Sequence, residues 1–358
     1  QEIASYTDAA YDTLDEEQRD EDRTVGTRLT VLQPLGAGTL TLALNGLYST
    51  HDERTRSPEV SFSDVSSASY AQFIYSTGLE YGVPLGTAYR LTIGGSGDGI
   101  ATPETGDKPA LDPFVDYGFN MAFQAQLHSA LGMRATLGRK VRFPTMRELF
   151  GVALNRFLLN PDLAPESSLV TELGVTYNMG RLQSEVIGFF QRTYDTIDQV
   201  RVAVPEGPSL RQRVNLDGSR VWGVEAVAGF ALDERLAING HLTWMQPRAT
   251  GTEGRAFLTE KPEWLGSLNL VYTLPSGLQA LAAVQYTGVA YGLDEDNGFV
   301  ALESDVLIDL RLAYKTNIGG VEGEWFVRVD NVFDGTTLPQ LGLPGAGRLI
   351  RSGLTVRL

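Results

Sequence analysis

The 358-residue chain carries 44 acidic against 29 basic side chains, a formal charge of −15, with 42% hydrophobic and 20% charged residues and no cysteine. That balance excludes the basic face that nucleic-acid binding needs, and the missing cysteines exclude disulfides, thiolate metal sites and cysteine nucleophiles. No eighteen-residue apolar run occurs, so a membrane helix is excluded on length and any membrane crossing has to be made by strands.

In chain order, Gln1 is not followed by the basic start and apolar stretch of a secretion leader, so the chain is expected to be a mature protein or a fragment. Residues 2–12 are the expected first strand, with the weakest alternation of all. The acidic run 12–22 (DTLDEEQRDED) reads as a solvated loop. Strict alternation begins at Leu40, Leu42 and Leu44 against Thr41, Ala43 and Asn45. The Gly94–Gly99 stretch lacks the lysine and following helix of a phosphate loop, and is read as a flexible strand end.

Alternation resumes at Leu236, Ile238, Leu242 and Trp244 against Asn239, His241 and Thr243. It continues through Leu278, Ala280, Ala282, Val284 and Tyr286 against Gln279, Ala283, Gln285 and Thr287. Val306, Ile308, Leu310, Leu312 and Tyr314 oppose Asp309, Arg311, Ala313 and Lys315, and Val327 and Val329 oppose Glu324, Arg328 and Asp330. Successive side chains of a strand point to opposite faces, so one face of each segment suits lipid and the other water. A soluble antiparallel sandwich also alternates. These segments are longer than the five or six residues usual there, and aromatic residues sit near the ends of the apolar faces.

Short turns near 34–38, 84–87, 129–132, 179–180, 232–234, 275–277 and 317–320 alternate with longer connections near 13–23, 52–65, 99–111, 143–166, 204–210, 249–256, 292–302 and 335–346. Seven short and eight long connections predict an all-β, transmembrane antiparallel up-and-down β-barrel of about sixteen strands, both termini periplasmic, formed by residues 1–358 as one domain in the bacterial outer membrane. The 143–166 connection carries an apolar stretch (Leu149, Phe150, Val152, Leu154, Phe157, Leu158, Leu159) that has to bury itself, which makes it the candidate for an inward-folded blocker.

Three groups of residues go beyond pattern. Val141-Arg142-Phe143-Pro144-Thr145 is followed by Arg147-Glu148-Leu149-Phe150 and by Asn160-Pro161-Asp162-Leu163-Ala164-Pro165-Glu166. Gly223-Val224-Glu225 then opens a strand, and Val329-Asp330-Asn331-Val332-Phe333-Asp334 closes the penultimate one. The chain ends Arg351-Ser352-Gly353-Leu354-Thr355-Val356-Arg357-Leu358. The first two groups resemble the fingerprint of TonB-dependent receptor barrels, in the C-terminal part of that domain. The ending is similar to the signal read by the barrel-assembly machinery, through Gly353, Val356 and Leu358, although that signal usually ends in an aromatic residue.

The resemblance implies contact with outer-membrane lipid and lipopolysaccharide, assembly by that machinery, and room for an envelope protein partner. Plugged transporters of the outer membrane have about 22 strands, and no segment here reads as a plug, so TonB-driven gating is not expected. Catalysis is not expected either: His51, His128 and His241 form no local motif, and no metal or cofactor is called for. The expected lumen residues are Asp309, Arg311, Glu324, Arg328, Asp330, Arg351 and Arg357, whose opposite charges on neighbouring strands would form a wall-stiffening ladder or a polar conduit. The expected function is a passive or partner-gated route for small solutes. The alternatives are a structural barrel around a partner, and the C-terminal part of a full TonB-dependent nutrient or siderophore transporter.

Overall fold

The computed structural model describes residues 2–7, 10, 12–65, 67–151, 157–204, 210–251, 257–294, 298–318 and 321–357, with the backbone alone at 318 and 357. Val152 and Leu154 of the apolar stretch and Leu358 of the ending lie outside them.

In chain order the strands are β1 (Glu2–Tyr6), β2 (Leu14–Leu35), β3 (Gly38–Arg56), β4 (Ala68–Leu85), β5 (Tyr89–Thr105), β6 (Phe114–His128) and β7 (Leu131–Arg142). After the one-turn helix α1 (Met146–Leu149) come β8 (Phe157–Leu158), β9 (Glu166–Met179), β10 (Leu182–Val202), β11 (Leu210–Ala231) and β12 (Leu236–Ala249). The last are β13 (Trp264–Thr273), β14 (Leu278–Thr287), β15 (Ala290–Leu293), β16 (Phe299–Leu302), β17 (Asp305–Ile318), β18 (Val321–Asp330) and β19 (Leu349–Arg357). Among the described residues fifteen of these strands have nine residues or more, the length a tilted membrane-crossing strand requires. No described helix is long and apolar enough to cross a membrane.

The chain divides into two compact units, residues 1–123, 136–170 and 192–218 in one, and 124–135, 171–191 and 219–358 in the other. In the first, β2, β3, β4 and β5 pair in sequence as an antiparallel meander, and β1 pairs with β2. The β2–β3 turn uses Gly36 at φ 59°, and Gly38 is needed because a Cβ there would lie 2.5 Å from the Gly82 carbonyl oxygen and 2.7 Å from the Tyr81 ring.

The acidic run read as a loop is strand from Leu14 onward, its register running from Glu17 opposite Arg56 to Leu35 opposite Gly38. β3 and β5 likewise reach to Arg56 and Thr105, shortening the connections expected at 52–65 and 99–111. Cross-strand ion pairs such as Glu17–Arg56 hold polar strand as well as apolar pairs do, and charge alone does not separate such a strand from a loop. The first strand, in contrast, covers only Glu2–Tyr6. The glycine run lies inside β5 rather than at its end: a Cβ on Gly94 would sit 2.4 Å from Asn120 Oδ1, and one on Gly99 2.3 Å from the Tyr75 ring. These glycines make room for large neighbours.

In the second unit β11, β12, β13, β14, β17, β18 and β19 pair antiparallel in succession. The register aligns the apolar positions into rows. One row reads Phe230, Ile238, Leu270, Ala282, Leu310, Val329, Ile350, and the row beside it Ala228, Gly240, Leu268, Val284, Ile308. These faces are exposed at Ala228, Phe230, Leu268, Leu270, Leu310 and Ile350, the last at 68%, and half-buried between them, while Asp309 and Ala313 on the opposite face are buried. Rows of exposed apolar side chains on a fully paired sheet are stable only against hydrocarbon.

Aromatic side chains bound these rows. Trp222, Trp244 and Trp264 form a contact ladder at one rim, with ring centroids 5.0 and 6.3 Å apart, and Tyr272, Tyr314 and Trp325 occupy the other. Trp264 and Tyr272 are the two ends of a nine-residue stretch of β13, about 26 Å along a strand. Leu268→Arg, in the middle row, is expected to cost roughly 2–4 kcal/mol, while Asn269→Arg on the other face costs far less. Urea titration of both variants in lipid vesicles checks this.

Candidate functional site

The fingerprint segment between β7 and β9 belongs to the first unit and folds back onto the polar face of its sheet. Thr145 caps α1 in a capping box: Glu148 N–H donates to Thr145 Oγ1 at 3.3 Å and Thr145 N–H to Glu148 Oε2 at 2.8 Å. Arg142 binds both Glu148, at 2.9 Å, and Glu166, at 2.7 Å, closing the two ends of the motif on one guanidinium. Glu166 also accepts from Ile197 N–H at 2.9 Å. Burial pushes the Glu148 carboxyl up, but the Thr145 N–H and Arg142 outweigh it and hold the group below the ordinary glutamate range.

Phe143, Leu149, Phe150 and Leu163 are buried with Tyr70 of β4 and Ile100 of β5 in one cluster. Tyr70 is 2% exposed and stacks on Phe150, centroids 5.1 Å apart. Gln72 Nε2 donates to the Pro144 carbonyl at 2.8 Å, satisfying a buried amide. Further along, Asn160 Nδ2 donates to the Arg213 carbonyl at 3.0 Å, and Asn215 clasps Ala164 by accepting from its N–H at 2.8 Å and donating to its carbonyl at 2.9 Å. Arg213 donates to the Gly151 carbonyl at 3.0 Å and lies 4.3 Å from the Phe157 ring centre, and β8 pairs parallel with Arg211 and Gln212. Pro161 and Pro165 flank Leu163 in a stretch without strand structure, as residues lacking an N–H donor should.

The motif is thus a packing and pinning device. Tyr70, Ile100, Gln72, Arg213 and Asn215 complete it, and nothing in the local sequence marked them.

The charged residues singled out on β17, β18 and β19 do come together. Arg311, Arg328 and Arg351 lie directly opposite one another in register. Like charges so placed repel. Carboxylates interleave to relieve this: Glu324 pairs with Arg311, Asp309 with Arg328 at 3.0 Å, and Asp330 with both Arg328 and Arg351. Arg357 is described only as backbone, opposite Glu322.

The remaining motif residues have local work. A Cβ on Gly223 would stand 2.1 Å from the Trp244 carbonyl oxygen, so no other residue fits, and Glu225 lies 3.5 Å from His241 Nε2. Asn331, at φ 49°, ends β18: its N–H donates to Asp309 at 3.0 Å and its side chain exchanges hydrogen bonds with Gly335 at 2.8 and 2.9 Å. Asp334 accepts from Arg348 N–H at 2.7 Å, while Phe333 is exposed. Gly353 leaves room for the Phe326 ring, which a Cβ would meet at 2.7 Å, and Val356 stands exposed.

The family model of the TonB dependent receptor-like β-barrel matches residues 3–332. The chain belongs to this family. An iron-regulated outer membrane virulence protein of Vibrio cholerae serotype O1 is 25% identical over 272 residues, 72% of this chain and 40% of that protein. Among solved structures, the copper transporter OprC superposes with a TM-score of 0.78 at 18% identity, over 95% of this chain and 57% of its own. The FrpB iron transporter from Neisseria meningitidis (F3-3 variant) gives 0.70 at 18% identity, over 95% and 55%. The chain therefore spans about half or less of the relatives it matches, and the shared fold is the outer-membrane barrel.

Phe150→Ala is expected to release the fold-back, since emptying a buried Phe site costs about 3–5 kcal/mol. Limited proteolysis would show new cleavage between residues 143 and 166. Because the Glu148 pKa is lowered on folding, its share of that stability is complete above the ordinary glutamate range and lost as pH falls through the lowered value. The protection of amides 145–150, taken relative to the intrinsic exchange rate at each pH, is expected to be constant above the ordinary glutamate range and to fall as pH drops below it, a response that Glu148→Gln removes.

Proposed function

We propose that this protein provides a route for small solutes across the outer membrane, passive or gated by a partner, as the barrel of a receptor-type transporter. The observation that carries the reading is the interleaved row of Arg311, Arg328 and Arg351 with Asp309, Glu324 and Asp330, on the face opposite the exposed apolar rows. Paired in this way the charges stiffen the wall, and charge rows of this kind also select among ions and polar solutes in pores. The relatives support the transport class: OprC is named a copper transporter and FrpB an iron transporter. The reading extends to metal-bearing nutrients such as siderophore complexes, delivered with a TonB-type partner where the protein has a plug.

Conductance of the purified full chain in planar bilayers tests the passive form. Wild type is expected to conduct, and Asp330→Asn, which removes the carboxylate shared by Arg328 and Arg351, to shift selectivity toward anions. A barrel that stays sealed, with growth on limiting nutrient unaffected by its deletion, overturns the route and favours a scaffold enclosing a partner.

A further inference from the structure

The geometry points to a metal-binding site on the polar face of β2 and β3, formed by His51, Asp20 and Glu53 and taking a first-row divalent transition-metal ion. The register sets Asp20 directly opposite Glu53, and Asp22 opposite His51, one step along on the same face. A ring nitrogen of His51 and one oxygen each of Asp20 and Glu53 lie within 4.8 Å of one another. His51 and Asp20 are both 8% exposed, and the Glu53 side chain 11%. Asp20, Glu53 and the imidazole are thus drawn together where water is scarce, with the exposed Asp22 behind the ring.

The contacts around these groups are also those that support a bound metal. His51 Nδ1 is 2.7 Å from Asp22 Oδ1, which holds a ring proton on Nδ1 and leaves Nε2 as the ring atom facing Glu53, where a metal ion would take the place of a proton. Nε2 and Glu53 Oε2 are 3.8 Å apart, too long for a hydrogen bond. Two ligands of a tetrahedral zinc ion, each at about 2.0–2.1 Å, stand about 3.4 Å apart, so a shift of a few tenths of an ångström brings His51 and Glu53 to that spacing, and Asp20, within 4.8 Å of both, moves in by up to about 1.4 Å. Asp20 is itself oriented, accepting from Gln18 Nε2 at 2.8 Å. A carboxylate behind the histidine and a hydrogen bond behind the carboxylate ligand are the usual support of bound metal.

Tyr70 flanks the histidine, ring centroids 6.0 Å apart, and so joins the site to the apolar cluster beneath the fingerprint segment. Three protein ligands leave a fourth position for water or an incoming ligand. One imidazole and two carboxylates suit zinc and its neighbours in the series. The site asks nothing of solute passage and stands or falls separately from it.

The test is zinc titration of the full chain in detergent, after chelator treatment, by calorimetry and by X-ray absorption at the zinc edge. Wild type is expected to bind one zinc ion here with a histidine in the coordination shell. His51→Gln is expected to abolish that binding, Asp22→Asn to weaken it by about 10–100-fold, and His128→Gln to leave it unchanged. Folding of each variant is followed by heat-modifiable migration on gels. Wild type without zinc affinity overturns the proposal, as does folded His51→Gln that binds like wild type. If His51→Gln does not fold, the wild-type absorption spectrum decides, and a zinc shell without imidazole scattering overturns it.

Discussion

A β-strand has two faces and one hydrogen-bonding edge on each side, and this chain is organised by the need to satisfy all of them within hydrocarbon. With backbone groups paired strand to strand, no irregular segment need face lipid. Side-chain alternation then assigns every second residue to the membrane. The register makes the assignment collective: Leu310 is useful because Ala282 and Val329 stand beside it and carry the same row onward. A slip of one residue in any pair would turn a whole row to the wrong side. The glycines at 38, 223 and 353, each facing a carbonyl or ring at a distance no Cβ allows, guard the close approaches on which that register depends.

The polar faces answer a different problem, which is how to hold many charges close together on one wall. On β17, β18 and β19 three arginines in line are tolerated because Asp309, Glu324 and Asp330 sit diagonally between them. Each exposed pair is worth about 0–1 kcal/mol; their value lies in holding charge in place. On β2 and β3 a buried imidazole takes the place of an arginine among the carboxylates, and that ligand-type ring is what distinguishes Asp20, Glu53 and His51 from an ordinary ladder.

Between these extremes the fingerprint segment treats the polar face as a floor. Burying Phe143, Leu149, Phe150 and Leu163 against Tyr70 contributes on the order of 1.5–3 kcal/mol per large side chain, which offsets the entropy of ordering a connection of this length. The family's most distinctive residues are in this view structural: Arg142, Glu148 and Glu166 tie the segment's ends, and Asn160 fixes its return. The resemblance read from them was correct about the family, as the match over residues 3–332 shows.

Strand character, the positions of the six short turns that lie among the described residues and the two-faced pattern were legible in the chain, because each depends on neighbours one or two residues away. The 12–22 segment was not legible, since a charged strand and a charged loop have the same composition and only the partner at 51–56 distinguishes them. Likewise Arg311, Glu324 and Asp330 could be named from alternation, but which carboxylate serves which arginine was decided by register. Gln72 reaches Pro144 across 72 residues, and Asn215 reaches Ala164 across 51. His51, one of three scattered histidines by sequence, meets the acidic run only because β2 and β3 pair where they do. Periodicity is a local property and was settled by the sequence; proximity is a property of pairing, and only the tertiary structure decided it.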